Sequence, residues 1–197
     1  MPELFQPQLV LASGSRYRRE LLARLNLPFA TAAPDIDETP TEGESPQDLA
    51  LRLACAKAQA VRAAHPAALI IGCDQVAVAG ATLLHKPLTR ARAVEQLKRM
   101  SGKHVAFFTA VCLLNAQTSR RQTAIVPVTV HMRELSADAI ERYLAAEPAY
   151  DCAGSARIEG FGITLVARLD GEDPTALIGL PLIRLCEMLR GEGIELP

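Results

Sequence analysis

Tryptophan is missing from these 197 residues, and three tyrosines with five phenylalanines are the whole aromatic content. A core for a chain of this length must therefore be built from aliphatic side chains. Net charge is nearly missing too: 21 Lys and Arg against 22 Asp and Glu leave a formal −1 at pH 7. That balance excludes a global pull toward nucleic acid or an anionic membrane, so any anion must be held by a local cluster. No apolar run is long enough to span a bilayer. Neither a Cys-x-x-Cys pair nor a His-Glu-x-x-His motif occurs. The five cysteines (Cys55, Cys73, Cys112, Cys152, Cys186) are scattered and odd in number, and the four histidines are dispersed. A zinc site and a disulfide framework are thereby not expected, and the cysteines fit small core residues in a reducing compartment. The start, MPELFQPQLVLAS, carries Glu3 and no basic region, so a signal peptide is not expected and the cytoplasm is. There is no internal repeat, low-complexity tract or linker, and one domain over 1–197 is expected.

What is present reads as alternating short strands and amphipathic helices. Leu9 to Ala12 suits a buried strand, followed by a helix with Leu21, Leu22 and Leu25 on one face, ending near Leu27-Pro28. APDIDETPTEGES is a loop by composition. Ser45-Pro46-Gln47-Asp48 then gives an N-cap, Pro at the first helical position and an acid at the third, opening a helix to about His65. ALIIGCDQVAVAG is a strand, continuous or interrupted at Asp74-Gln75, with a turn near Gly80. Thr89 to Met100 is helical, with Gly102 just past its end. VAFFTAVCLLN and TAIVPVTVHM form an antiparallel hairpin in which Pro127 demands an edge or a bulge. Ser136 caps a helix to Ala146, CAGSARIEGFGITLVARL mixes a Gly-rich loop with a strand, and Pro181 to Arg190 is the last helix. The class is α/β or α+β with a mixed sheet.

Two features carry chemistry. Residues 9–19, LVLASGSRYRR, place small residues between a strand and a helix whose first turn holds Arg16, Arg18 and Arg19. Cations oppose the dipole there, and an anion such as phosphate would relieve the conflict through helix N–H groups and guanidinium forks. A solvated basic turn is the plainer reading. Asp74, following LIIGC, falls near a buried strand end, where α/β proteins bind ligands; it could hold Mg²⁺, activate water or cap a turn. Lys57 sits at the edge of an apolar helix stripe, where a lysine ordinarily snorkels. Lys86, Asp37 and Glu38 are single polar residues in loops. Together they compose metal-assisted hydrolysis of a phosphoanhydride: cations gripping a polyphosphate, carboxylates holding a divalent ion, one carboxylate activating water.

The ordered set LASGSRYRRELL, DIDETP, the Lys57 helix, IIGCDQV, HKPLT, CAGSARIEGFG and GLPL resembles the Maf proteins, nucleoside triphosphate pyrophosphatases, over essentially the whole chain. The resemblance implies an elongated α/β fold with a mixed twisted sheet, flanking helices and a central cleft, similar to the inosine triphosphate pyrophosphatases. It implies hydrolysis between the α- and β-phosphates with Mg²⁺ or Mn²⁺. By position it makes Asp74 the general base and a metal ligand with Glu38, and Asp37 could share that metal role. Ser13, Arg18, Lys57 and Lys86 fall around the phosphates. One departure stands out: Arg16 replaces the family's usual proline, which would pre-set the first helical turn. Tyr17, Gln75 and Glu159 occupy the positions tied to substrate choice and resemble the 7-methyl-GTP branch rather than the branch acting on dTTP and UTP. A dTTP/UTP pyrophosphatase of the same family is one alternative; family members are also associated with septum formation, so a nucleotide-binding regulator of cell division is another. The expected partner is a nucleoside triphosphate, with no nucleic acid or membrane, and a homodimer is plausible from the family. A phosphotransferase is disfavoured because Walker A and kinase motifs are missing.

Overall fold

The computed structural model describes residues 8–197; the reading of the first seven residues lies outside it. The elements follow one another as β1 (Leu9–Ala12), α1 (Arg16–Ala23), β2 (Phe29–Thr31), α2 (Pro46–Ala60), β3 (Leu69–Ala79), β4 (Thr82–Leu84), α3 (Arg90–Met100), β5 (His104–Asn115), β6 (Arg121–Met132), α4 (Ala137–Ala146), β7 (Val166–Gly171), α5 (Pro174–Ile178) and α6 (Leu182–Gly191). They form an α/β fold on a seven-stranded mixed sheet of order β2-β1-β3-β5-β6-β7, with β4 paired to β3. β1 runs parallel to β2 and β3; β4 runs antiparallel to β3, and β7 to β6.

Several boundaries differ from expectation. α1 stops at Ala23, and Asn26 takes a positive φ of 52°, turning the chain before Leu27-Pro28 is reached. α2 ends at Ala60 and tightens into a 3₁₀ turn over Arg62–Ala64. β3, expected as either continuous or interrupted, is continuous through Asp74-Gln75. Pro127 is not on an outer strand, because β6 lies between β5 and β7. The β6–β7 ladder, however, begins only at Val128, so the proline stands just beyond that pairing. Residues 153–155 and 161–165, read as loop and strand, are 3₁₀ turns. The three-residue β2 and β4 and the five-residue α5 were not anticipated.

The chain divides into two compact units. Among the described residues the first comprises 8–75, Thr109–Val126 and Asp173–Pro197. Its core is aliphatic, as the composition requires: Leu9, Leu11, Leu69, Ile71, Val111 and Leu113 from alternate strand positions meet Leu21 and Leu22 of α1 and Leu185 and Leu189 of α6. Period-two alternation sends Gly72 and Asp74 to the opposite face, where α2 lies. The second unit comprises Val76–Phe108 and Pro127–Glu172. Here α3 packs on α4, and Tyr143 of α4 is almost fully buried.

Candidate active site

The centre of the first unit's site is set by a glycine. A Cβ at Gly72 would lie 2.0 Å from the Ala54 carbonyl oxygen and 2.8 Å from the Ala58 nitrogen, both in α2. Only a bare α-carbon lets the helix backbone approach β3 this closely. The approach seats Lys57 beside Asp74, two residues along the strand, with Nζ 2.6 Å from Oδ1. The two residues are 6% and 7% exposed, so neither charge could remain there alone. Nζ also lies 2.6 Å from Oε1 of Glu38, whose side chain is largely exposed. One buried ammonium thus bridges two carboxylates. This lysine does not snorkel.

Glu38 reaches Lys57 from an irregular segment that is pinned on its far side. Arg52 of α2 donates to both carboxylate oxygens of Glu44, at 2.6 and 2.8 Å, and to the Thr39 carbonyl at 3.0 Å. Those bonds from Arg52, then the Thr41 N–H, hold the Glu44 carboxyl down to about 2. Asp37 turns the other way. Its carboxylate accepts from the Thr39 N–H at 2.9 Å, and hydrogen bonds from Thr39 hold it below the usual carboxylate range. Asp37 therefore shapes the turn, and Glu38 is the acid delivered to Lys57.

The arginine-headed helix begins with Ser15 as N-cap, its hydroxyl accepting from the Arg18 N–H at 3.4 Å. No acid sits in the first turn. Arg18 is held by its Nε, which donates to the Gly179 carbonyl at 2.9 Å, and by one terminal nitrogen 3.4 Å from the buried Ser13 hydroxyl. The Gly179 carbonyl also accepts from Cys73 Sγ at 2.9 Å, and its φ of 123° suits glycine. Arg18 and the residue preceding Asp74 thus converge on one carbonyl, which ties the basic head to the acid cluster. Arg16 does something else: it donates to the Tyr17 hydroxyl at 2.8 Å, with its guanidinium 4.7 Å from the ring centroid. The aromatic face of Tyr17 carries a cation.

Gln75 lies beside this cluster and spends its amide nitrogen on structure. Nε2 is 2.9 Å from Thr109 Oγ1 and 3.0 Å from both the Ala176 and Leu177 carbonyls, fixing α5 to the sheet. Asp173 escaped the sequence reading and is only 2% exposed. It accepts from the Thr175 N–H and hydroxyl at 2.8 and 2.6 Å and from the Ile183 N–H at 2.9 Å, capping α5 and the start of α6 together. Its signal was present in Asp173-Pro174-Thr175, a capping acid followed by proline at the first helical position.

Lys86 and Glu159 belong to the second unit. Lys86 is exposed in the irregular stretch between β4 and Thr89, the N-cap of α3. Glu159 sits in a turn organised by Arg157. That side chain bonds Glu147 Oε1 at 3.2 Å and Asp151 at 2.8 Å, while the backbone N–H of Arg157 donates to the Tyr143 hydroxyl at 3.1 Å. The Gly162 N–H donates to the other oxygen of Glu147 at 3.2 Å, and Phe161 stacks on Tyr143. Glu159 itself presents its surface to solvent. The protein beside it still removes enough hydration to push its carboxyl above the ordinary value.

The acid pair suits a divalent cation in one respect. Two carboxylates already converge on a positive charge, and Mg²⁺ is commonly held by one or two carboxylates plus substrate phosphates. Among the described residues no group of three His, Cys, Asp or Glu could hold a metal by protein ligands alone. Nor is any helix among them long and apolar enough to cross a membrane.

Fold and site together define an α/β protein that sets an acid–lysine–acid cluster beside a helix headed by arginines. The chain belongs to the Maf family: residues 8–192 match the family described as Maf-like protein. It is 55% identical over 189 residues to the 7-methyl-GTP pyrophosphatase of Methylobacillus flagellatus, covering 96% of this chain and 98% of that one. The proteins of that name from Pseudomonas aeruginosa and Pseudomonas syringae pv. tomato are 52% and 56% identical, each over 97% of this chain and all of theirs.

Proposed function

We propose that this chain hydrolyses a nucleoside triphosphate between its α- and β-phosphates, releasing the monophosphate and pyrophosphate, with 7-methyl-GTP as its preferred substrate. The observation that carries the reading is the Lys57 bridge between Asp74 and Glu38, in a chain more than half identical to relatives named for that activity. A divalent cation, Mg²⁺ or Mn²⁺, held by Asp74 and Glu38 would supply charge neutralisation at the phosphates. Asp74 takes the proton from the attacking water. Lys57 keeps that carboxylate in place. Arg18 and Ser13 receive phosphate oxygens at the head of α1, and Lys86 adds a further cation.

The base is read by Tyr17, Gln75 and Glu159. Guanine offers two adjacent donors, N1–H and N2–H, to one carboxylate, whereas thymine offers a single donor between two acceptors. Methylation at N7 makes the base cationic, and an aromatic face attracts it. On Tyr17 that attraction already holds Arg16, so substrate binding exchanges one cation for another and displaces Arg16 from the ring. In this reading the protein acts as a single domain, alone or as a homodimer, clearing modified nucleotides from the cytoplasmic pool.

A panel of natural and modified triphosphates, assayed for pyrophosphate with Mg²⁺ or Mn²⁺, tests this. The highest kcat/KM is expected for 7-methyl-GTP. Fastest turnover of dTTP or UTP overturns the base assignment and leaves the hydrolysis standing, while no pyrophosphate from any triphosphate overturns both.

A further inference from the structure

Of the eleven residues of β3, Gln75 alone is not buried. Its amide nitrogen has three acceptors, Thr109 Oγ1 at 2.9 Å and the Ala176 and Leu177 carbonyls at 3.0 Å. Two of these are backbone oxygens, which have no proton to give. An amide turned the other way would set its own oxygen against both of them. Chemistry therefore decides which end of the amide faces inward. Thr109 reinforces the choice. It is 0% exposed, and its hydroxyl donates to the Ala176 carbonyl at 2.9 Å, which leaves only lone pairs for Nε2. The hydroxyl is thus a donor toward α5 and an acceptor toward Gln75.

The carbonyl end of that amide is what the protein offers outward. Among the described residues no group donates to Gln75 Oε1, and the atom is not sealed from solvent. Cys73 and Gln75, two residues apart, share a face of β3, and Cys73 meets the Gly179 carbonyl that also receives Arg18. Gln75 therefore opens on the side of the sheet where Arg18 is anchored, whereas Asp74 faces α2. Building on the nucleotide substrate proposed above, we propose that Thr109 is a positioning residue that fixes Gln75 Oε1 as a hydrogen-bond acceptor for an N–H or O–H donor of the nucleoside. Guanine's exocyclic amine and a ribose hydroxyl are donors of this kind. A base carbonyl brought to the same place would be repelled. The exocyclic amine as the source would disfavour both dTTP and UTP; the 2′-hydroxyl would disfavour dTTP alone.

Equilibrium binding of nucleoside monophosphates to the full chain tests this without turnover. The probes are 7-methyl-GMP, its inosine counterpart lacking the exocyclic amine, and its 2′-deoxy and 3′-deoxy counterparts. The analogue missing the donor should bind about three- to tenfold more weakly than 7-methyl-GMP, the worth of one neutral hydrogen bond, and its identity names the source. Gln75→Met keeps the side chain's length without its carbonyl and should erase that difference; a difference owed to Glu159 would persist. Thr109→Val should shrink the difference, and Thr109→Ser, which restores the hydroxyl, should bring it back. Equal affinities for all four probes in the unaltered chain overturn the proposal, as does a difference that survives intact in Gln75→Met or in Thr109→Val. Because the ratios are read on monophosphates, a chain that released no pyrophosphate would lose the hydrolytic reading while the acceptor stood or fell on binding alone.

Discussion

The acid cluster of the first unit and the Glu159 turn of the second are built on opposite plans. Asp74 and Lys57 stand on a strand and a helix whose backbones touch at Gly72, so their 2.6 Å separation is set by regular structure. Glu159 stands on a turn between two 3₁₀ segments, held through the side chains of Arg157, Glu147 and Tyr143. The first plan fixes a distance and tolerates almost no change. The second holds irregular backbone through side-chain bonds and a close backbone contact at Gly162, and loops of that kind commonly carry recognition. In the proposed reaction, chemistry belongs to the rigid first region and selection to the irregular second one.

Asp74→Asn should have the largest effect, lowering kcat by about 10²–10⁴-fold as loss of a general base does. Pyrophosphate release that persists undiminished would take the chemistry away from the rigid region. Gly72→Ala comes next. Overpacking costs about 1–3 kcal/mol where side chains can yield, and here the obstacle is backbone, so the melting temperature should drop and turnover fall together. Full activity in a well-folded alanine variant would show that the helix seat does not set the Lys57–Asp74 distance. Arg18→Ala should cost about tenfold or more in kcat/KM, the value of a charge-assisted phosphate contact, and Arg16→Ala less. Equal losses would place both side chains on phosphate and dissolve the cation exchange at Tyr17. The smallest change in rate is expected for Glu159→Gln. The preference for 7-methyl-GTP over dTTP should fall about tenfold with kcat on dTTP retained. An unchanged ratio of kcat/KM values would end the division of labour between the two regions.

What the sequence disclosed follows from how locally each feature is encoded. The Ser45 and Ser136 caps, the loop after β2 and the strand–turn–helix at Arg16 were legible because the deciding residues are neighbours in the chain. Lys57 read as an ordinary snorkelling residue because its partners lie 17 and 19 positions away, through a fit between Gly72 and α2 that no periodicity announces. Gln75 suggested a specificity position, yet its amide nitrogen also fastens α5 to the sheet. α5 itself was missed because five residues are too few for a 3.6-residue pattern to repeat, and β2 and β4, at three residues each, are too short to alternate. The link between Arg18 and Cys73 passes through a glycine carbonyl, which carries no side-chain signal.

The lysine between the two acids gives the protein a resident counter-ion. Two carboxylates gathered with no cation would repel one another and throw off the loop that carries Glu38; the ammonium spares the fold that repulsion. In the proposed reaction, folding and metal loading thereby become separate events, unlike a zinc finger, whose shape depends on its ion. Metal scarcity would then act as a throttle on turnover while leaving the protein's lifetime alone. A chelator should abolish hydrolysis and lower the melting temperature only by the increment that a bound ion adds by mass action, leaving the chain folded.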